Sequence, residues 1–410
     1  MIPGKTQTRL TIFLAGMTFL NGFSVWRLSR GVALGLPDFS TFYTAARIVH
    51  EGNASRLYDE NLQAQVQRSF APFAVAKRGA ILPYNHPPFE ALLFSFLGSF
   101  SYLTAYLLWL AVNLGLVLGL TATLRRHLSE LGKAPNYLWW LACFGFYPIV
   151  VTLLQGQDSV LVLFCFSMAL LAIRQKADFR GGVWLGMGLC KFQLVLPFVL
   201  PLLLLRRVRV ACGFLTTAFG LLTVGFLTAG WSGLLSYPRY LGETERYLWG
   251  GMPNLRGLLT SLLPAPHYQA VLGLLMLTSA GVFGATIYAW HRAHAANGST
   301  LDLAFASGLV ATTLLSYHLY LHDLSLTFLA AVIVLERMFS HQLSRPWIKA
   351  VLSCCLVVLF ASPIYFLLLL RNRIQPLAAV LLVFFVALMI EIVLSGKHPS
   401  VTSMSSPTQA

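Results

Sequence analysis

Residues 181–205 read GGVWLGMGLCKFQLVLPFVLPLLLL, and this stretch decides the class of fold. Twenty-five residues contain one charge, Lys191, set between two apolar halves, with Pro197 and Pro201 following. A helix needs about 20 apolar residues to cross a bilayer. An ammonium at mid-depth is costly unless it faces a polar cavity or a partner. The stretch therefore predicts two short helices meeting at Lys191 inside a membrane. The whole chain agrees. Of its 410 residues, 57% are hydrophobic and 10% are Asp, Glu, Lys or Arg, and the mean hydropathy is +0.70. A soluble domain carries roughly 25% charged residues, so this chain cannot cover a core of its own size with a wetted surface. The fold class is an all-α polytopic membrane protein.

Working outward, the same length criterion gives spans near 10–28, 101–124, 137–154, 159–174, 210–230, 268–290, 301–316, 324–339, 350–370 and 377–395. With the two halves around Lys191, about 11–12 transmembrane helices are expected. The run 10–28 is long for a signal segment and reads as a retained span. Residues 89–100 are too short to cross, and read as re-entrant or interfacial. That choice puts Lys5 and Arg9, the loops bearing Arg125–Lys133, Arg174–Arg180, Arg206–Arg209, Arg292 and Arg337–Lys349, and Lys397 on the cytoplasmic side: 16 of the 29 cations, as the positive-inside rule requires. The formal charge of +15 is thus a topology device and not a nucleic-acid signal. The outer face then holds the long loop 29–88, Gln155–Asp158, the break at Lys191, the loop 231–267 and Ser316–Asp323. Nine of the fourteen carboxylates lie there: Asp38, Glu51, Asp59, Glu60, Glu90, Asp158, Glu243, Glu245 and Asp323.

Much can be set aside. Cys143, Cys165, Cys190, Cys212, Cys354 and Cys355 lie in apolar segments without a C-x-x-C pair and read as small core hydrophobes, neither a disulfide framework nor a zinc site. Walker, Rossmann, H-E-x-x-H and G-x-S-x-G patterns are missing from the sequence. The Ser/Thr/Pro-rich tail 396–410 reads as disordered. One transmembrane domain, 1–395, is expected, with interfacial helices in the first outer loop (29–100) and a second large outer loop at 231–267.

Several outer residues carry chemistry. Phe39, Phe42, Tyr43, Ala46 and Val49 recur at helical spacing, predicting an amphipathic helix on the membrane surface. Asp38 precedes it, either as its N-cap or as a catalytic carboxylate. His86, before Pro87-Pro88, either donates to a phosphate or closes the turn. Glu90 reads as a helix-start carboxylate favoured by the helix dipole. Lys191 either snorkels to the interface or binds a lipid phosphate. His318 and His322 would share one face of a helix beside Asp323, which suits a phosphate or sugar better than a metal. The loop 231–267 mixes aromatics with charge (Tyr237, Arg239, Tyr240, Glu243, Glu245, Arg246, Tyr247, Trp249, Asn254, Arg256), suited to sugar stacking or to an interfacial belt.

In their order along the chain these segments resemble glycosyltransferase family 87, polytopic enzymes of the GT-C superfamily. Asp38-Phe39-Ser40-Thr41-Phe42-Tyr43-Thr44-Ala45-Ala46, followed by Gly52 and Leu57-Tyr58-Asp59, is similar to the family's Asp, aromatic-Tyr, x-Ala, Gly, Tyr-Asp pattern. Tyr84-Asn85-His86-Pro87-Pro88-Phe89 resembles its Tyr-x-Pro-Pro segment, expanded by Asn85-His86. Gly156-Gln157-Asp158-Ser159 resembles its Gly-Gln-x-Asn turn, and Gly182 to Lys191 its Gly-rich helix ending in Lys. Pro253-Asn254-Leu255-Arg256-Gly257 is similar to the Asn-x-x-x-Gly loop, without the usual Gln-Ser pair. His318–Asp323 resembles the late His-containing loop.

The resemblance implies a GT-C fold and an inverting transfer of a monosaccharide, a hexose such as mannose, from a polyprenyl-phosphate donor to a hydroxyl of a glycolipid or glycan acceptor. It implies Asp38 as general base. Tyr43, His86, Gln157, Lys191, Asn254, Arg256, His318, His322 and Asp323 are the expected substrate contacts. Fixed cations would stabilise the departing phosphate. No cofactor and no metal are expected, nor nucleic acid; the partners are the lipid-linked donor, the acceptor and membrane lipids. The expected location is a bacterial inner membrane, with the site on the periplasmic or extracellular face. The alternative is a transporter or flippase of lipid-linked sugars, which should show related halves; none is visible.

Overall fold

The computed structural model describes residues 4–244, 251–263, 268–295 and 300–395. The described residues are 84% helical, and helices are their only regular structure. The tail from 396, together with Glu245, Arg246, Tyr247 and Trp249, lies outside the described residues.

Among the described residues, five helices are long and apolar enough to cross a membrane: Tyr102–His127, Asp178–Leu204, Val208–Thr244, Gln269–His294 and Pro376–Ser395. Two bent pairs bring the total to seven if each is one span: Asn136–Gly145 with Tyr147–Gln155 at 69°, and Pro346–Phe360 with Ser362–Leu370 at 59°. The segments 137–154 and 350–370, expected as straight spans, are therefore broken. Both second halves begin with proline at the first or second position, Pro148 and Pro363, where the missing N–H and the restricted preceding residue favour a new helix start. The larger sequence-derived count included Ser159–Arg174 and Leu301–Leu315, of 16 and 15 residues. At about 1.5 Å per residue these fall short of a ~30 Å hydrocarbon layer. Both are almost wholly buried and form the centre of the bundle. Helix Gly4–Leu28 has the length, but is interrupted by Asn21 and Arg27; Asn21 is buried and donates to Phe144 O at 2.9 Å.

The break at Lys191 is present. Helix Asp178–Met187 passes through a 3₁₀ turn, Gly188–Lys191, into Phe192–Leu204. The expected span 210–230 does not stop at 230: Gly230, at φ 69°, turns the chain, and helix continues to Thr244, where a loop was expected.

The first outer loop is largely helical: Phe39–His50, Glu60–Phe70, Pro72–Arg78 and Pro88–Phe94, the last continued by a 3₁₀ turn. Phe39–His50 departs from the expected surface helix. Nine of its twelve residues are buried, and Phe39, Phe42 and Tyr43 join an aromatic cluster with Phe70, Tyr84, Phe94, Tyr102, Tyr106 and Trp109. Gly98 permits the closest approach, since a Cβ there would lie 2.6 Å from Ala46 O. The apolar stripe faces protein rather than lipid. Cys212 and Cys354 are exposed, which corrects their expected core role: they lie on outward faces of apolar helices.

Candidate active site

Thirteen of the fourteen carboxylates can be followed one by one; Glu245 lies outside the described residues. The five assigned to the inner face are held structurally. Asp302 pairs with Arg174 at 2.7 Å and Asp178 with Arg207 at 3.2 Å. Glu130 pairs with Lys133 at 2.6 Å. Glu336 accepts from Ser129 N, Glu130 N and Leu131 N, and Glu391 from Ser344 N. Outside, Glu51 pairs with Arg47, Asp59 with Arg56, and Glu243 with Arg239, while Glu60 stands in the first turn of its helix. Asp38, Glu90, Asp158 and Asp323 remain, and the contacts described next join them into one cluster.

Lys191 is its centre. Its Nζ lies 3.1 Å from Asp158 Oδ1 and 3.0 Å from Asp323 Oδ1, and donates to Gln157 Oε1 at 3.3 Å. Its charge is thus met by two carboxylates and one amide oxygen, all within 3.3 Å. The snorkelling alternative is excluded: the side chain is 3% exposed. Gln157 hands the arrangement on. With its carbonyl facing Lys191, its Nε2 donates to Asp38 Oδ2 at 3.0 Å. Asp323 is further fixed by Ser159 Oγ at 3.0 Å and by Tyr320 N, 3.0 Å from its second oxygen. Burial alone would raise the Asp323 carboxyl, but the Lys191 ammonium outweighs it and, with the Tyr320 N–H, holds it well below the usual carboxylate range.

Local structure explains these positions. Helix Tyr147–Gln155 ends at Gly156, in the left-handed region with φ 62°, where glycine is strongly favoured. A Cβ at Gly156 would lie 2.8 Å from Phe39 Cβ, so the missing side chain also seats Phe39 against the turn. Trp109 Nε1 donates to Gly156 O at 3.0 Å, and Asp38 N donates to Gln155 Oε1 at 3.0 Å. Residues 38 and 157 are thereby clamped across 119 positions of sequence.

Asp38 precedes helix Phe39–His50 but makes no side-chain capping bond, so the N-cap alternative fails. Its carboxylate faces Gln157 and His322, whose Nδ1 is 3.9 Å from Asp38 Oδ2. The Asp38 side chain is 37% exposed, against 0% for Glu90, Asp158 and Asp323. Of the four convergent carboxylates, it alone opens outward. His322 is held by Thr152 Oγ1 on its carbonyl at 3.1 Å and by Asp323 at 3.5 Å. Burial, opposed by Asp323, lowers its pKa below the ordinary imidazole value, and the ring is neutral at pH 7.

His86 Nδ1 lies 3.0 Å from Glu90 Oε2, and burial pushes the Glu90 carboxyl up to about 7. Glu90 was expected only as a helix-start carboxylate; its position four residues after His86 is the signal that could have placed it beside that ring. The remaining expected residues sit elsewhere or one step back. Tyr43 is buried among aromatics and donates to Phe100 O at 2.7 Å. Asn254 caps helix Leu255–Leu262 through Gly257 N and also donates to Ser316 O at 2.7 Å. Arg256 donates to Tyr317 O at 3.0 Å. Both brace the loop that carries His322. His318 lies in an irregular segment before the 3₁₀ helix Leu321–Leu326, so it and His322 do not share a helical face; its ring packs edge-on against Tyr320. A separate cavity of about 540 Å³, lined by Leu10, Phe13, Trp139, Phe339 and Lys349 among others, contains no carboxylate and shares no residue with the cluster.

Residues 84–317, more than half of the chain, match the model of Glycosyltransferase family 87. The chain belongs to this family. It is a membrane glycosyltransferase of the GT-C type. Comparison with curated proteins and with solved structures gave no match. The family 87 match includes His86, Glu90, Asp158 and Lys191, whereas Asp38, His322 and Asp323 flank it. Those three are joined to the matched segment by the bonds described above.

Proposed function

We propose that this glycosyltransferase moves one monosaccharide, a hexose such as mannose, from a polyprenyl phosphate to a hydroxyl of a glycolipid or glycan acceptor, with inversion. The reaction is placed on the outer face of a bacterial inner membrane, in a single domain, 1–395. One observation carries the reading: Asp38 is the exposed member of a cluster whose other three carboxylates are sealed. The acceptor hydroxyl gives its proton to the Asp38 carboxylate as its oxygen attacks the anomeric carbon. The bond from that carbon to the phosphate oxygen breaks, and the phosphate leaves with the electron pair. A single displacement from the opposite face inverts the configuration.

Gln157 aims the base, because its amide is fixed at both ends. Neutral His322 lies beside Asp38 and is suited to donate to a sugar hydroxyl or a phosphate oxygen. Arg256 supplies positive charge from the neighbouring loop. Lys191, buried against Asp158, Asp323 and Gln157, positions the cluster rather than the phosphate. The test is transfer from labelled polyprenyl-phosphate sugars by purified protein in lipid nanodiscs, with a panel of acceptors. Transfer by the wild type and its loss in Asp38→Asn are expected. Undiminished transfer by Asp38→Asn overturns the base assignment, and donor translocation without transfer overturns the reading.

A further inference from the structure

The side chains of His86, Glu90 and Asp158 each offer one ligand atom, and these atoms lie within 4.8 Å of one another. The backbone arranges this. Pro87-Pro88 opens helix Pro88–Phe94, leaving His86 just outside it and Glu90 in its first turn. Asp158 enters from the turn after Gly156, at the start of helix Ser159–Arg174. The three groups therefore come from two rigid helix starts. We infer that His86, Glu90 and Asp158 form a binding site for a divalent first-row transition-metal cation, next to Gln157 and one residue removed from contact with Asp38.

Three observations carry this beyond proximity. The first is an unmatched oxygen. The Glu90 side chain is 0% exposed, and its Oε1 has no hydrogen-bond partner among the described residues. A buried acceptor left in that state is costly, and a cation would satisfy it. The second is charge. Lys191 supplies one positive charge, shared between Asp158 and Asp323, while Glu90 faces the His86 ring on one side and the Asp158 carboxylate on the other. Three sealed carboxylates thus face one ammonium, and buried charge needs compensation. The third is geometry. Two ligands at right angles on a cation with bonds of about 2.1 Å stand about 3.0 Å apart, and His86 Nδ1 and Glu90 Oε2 are separated by 3.0 Å.

The donor set selects the ion. One imidazole with two carboxylates suits Mn²⁺ or Zn²⁺; it is too small and too nitrogen-rich for Ca²⁺, and lacks the thiolates of softer sites. The imidazole is also oriented from outside. Tyr58 donates to the His86 backbone O at 2.8 Å, and Phe42 lies 4.7 Å from the ring centroid, which together limit the movement of the side chain. An ion here would pin the Gly156–Asp158 turn, and with it the Gln157 amide that aims Asp38. That effect on transfer rests on the proposed function; the binding itself does not.

The experiment is Mn²⁺ titration of full-length, chelator-treated protein in nanodiscs with excess Mg²⁺, read by the electron paramagnetic resonance of free Mn²⁺, without substrate. One bound Mn²⁺ per chain is expected, with at least tenfold weaker binding in Glu90→Gln, which keeps the shape and a partner for His86. The control Asp59→Asn, at a carboxylate outside the cluster, should bind as wild type. Pulsed spectra should show a nitrogen coupling that disappears in His86→Gln. Binding of no Mn²⁺, together with no Zn²⁺ by elemental analysis, overturns the proposal and leaves a proton shared between Glu90 and Asp158. Binding that is unchanged in Glu90→Gln, or that lacks the nitrogen coupling, overturns it equally. Failure of transfer with intact Mn²⁺ binding would count against the transferase chemistry alone.

Discussion

Replacing Lys191 by methionine removes an ammonium whose three nearest polar oxygens lie at 3.0, 3.1 and 3.3 Å. Methionine keeps the volume and fits an apolar helix break, so packing is not the main perturbation. What changes is that Asp158 and Asp323, both 0% exposed, lose their shared counter-charge. Breaking a buried pair by removing one partner costs about 3–5 kcal/mol, and two carboxylates are orphaned here, so the upper part of that range is expected. The assay is denaturant unfolding in mixed micelles, followed by tryptophan emission. Lys191→Met should unfold at distinctly lower denaturant, and its deficit should shrink as pH falls, since protonation neutralises the orphaned carboxylates. Adding Asp323→Asn should recover at least about 1 kcal/mol, because neighbours sharing a network are not additive. Wild-type stability in Lys191→Met, with no recovery in the double variant and a large rise in donor KM, would refute the reasoning. That result would return Lys191 to the phosphate-binding role expected from the sequence.

Three further outcomes follow from the same geometry. Asp38→Asn should lower kcat by about 10²–10⁴-fold, the usual contribution of a positioned base. It should leave unfolding within about 0.5 kcal/mol, because its amide oxygen can still accept from Gln157 and the side chain is 37% exposed. Gly182→Ala should destabilise by about 1–3 kcal/mol, since its Cβ would meet Val210 O and Phe214 N across the contact between helices Asp178–Met187 and Val208–Thr244; a melt indistinguishable from wild type would show that these helices can separate freely. His322→Asn should reduce the acid sensitivity of the fold. The native imidazole has a lowered pKa, so the unfolded chain takes the proton first, and stability is lost as pH falls below about 6.5. Melts at pH 7.5 and 5.5 should differ less in the variant than in the wild type.

Local pattern made some features legible and long-range contact made the others illegible. The break at Lys191 could be read because a lone cation in an apolar run has few acceptable surroundings. The convergence of Asp38, Gln157, Lys191, His322 and Asp323 agrees at low resolution with the one face to which the sequence reading assigned all five. What the pattern could not supply was the pairing. Nothing near residue 191 in sequence says that its partners are residues 158 and 323, and so a phosphate was expected where two carboxylates stand. Helix Phe39–His50 failed for a related reason: an apolar stripe looks the same whether it meets lipid or Tyr102 and Phe94. The bends before Pro148 and Pro363 did have a local signal, since a proline at a helix start restricts the residue before it, but hydropathy averaged over 20 residues ran through both.

The division of labour within the cluster explains why the proposed base is the carboxylate that opens outward. A general base must accept a proton from a substrate that arrives from outside, so it needs an open lone pair and an aim that survives the substrate's absence. Asp323 has the aim without the opening, because Ser159, Tyr320 and Lys191 occupy its oxygens. Asp158 is sealed against Lys191, and Glu90 against His86. Asp38 keeps one directing bond, from Gln157, and leaves the rest of its carboxylate uncommitted. The directing amide is itself set by Lys191, whose charge is balanced from behind by the sealed pair. The buried ions therefore serve less to stabilise the bundle than to fix the orientation of a single amide, and through it the one carboxylate of the cluster that opens outward.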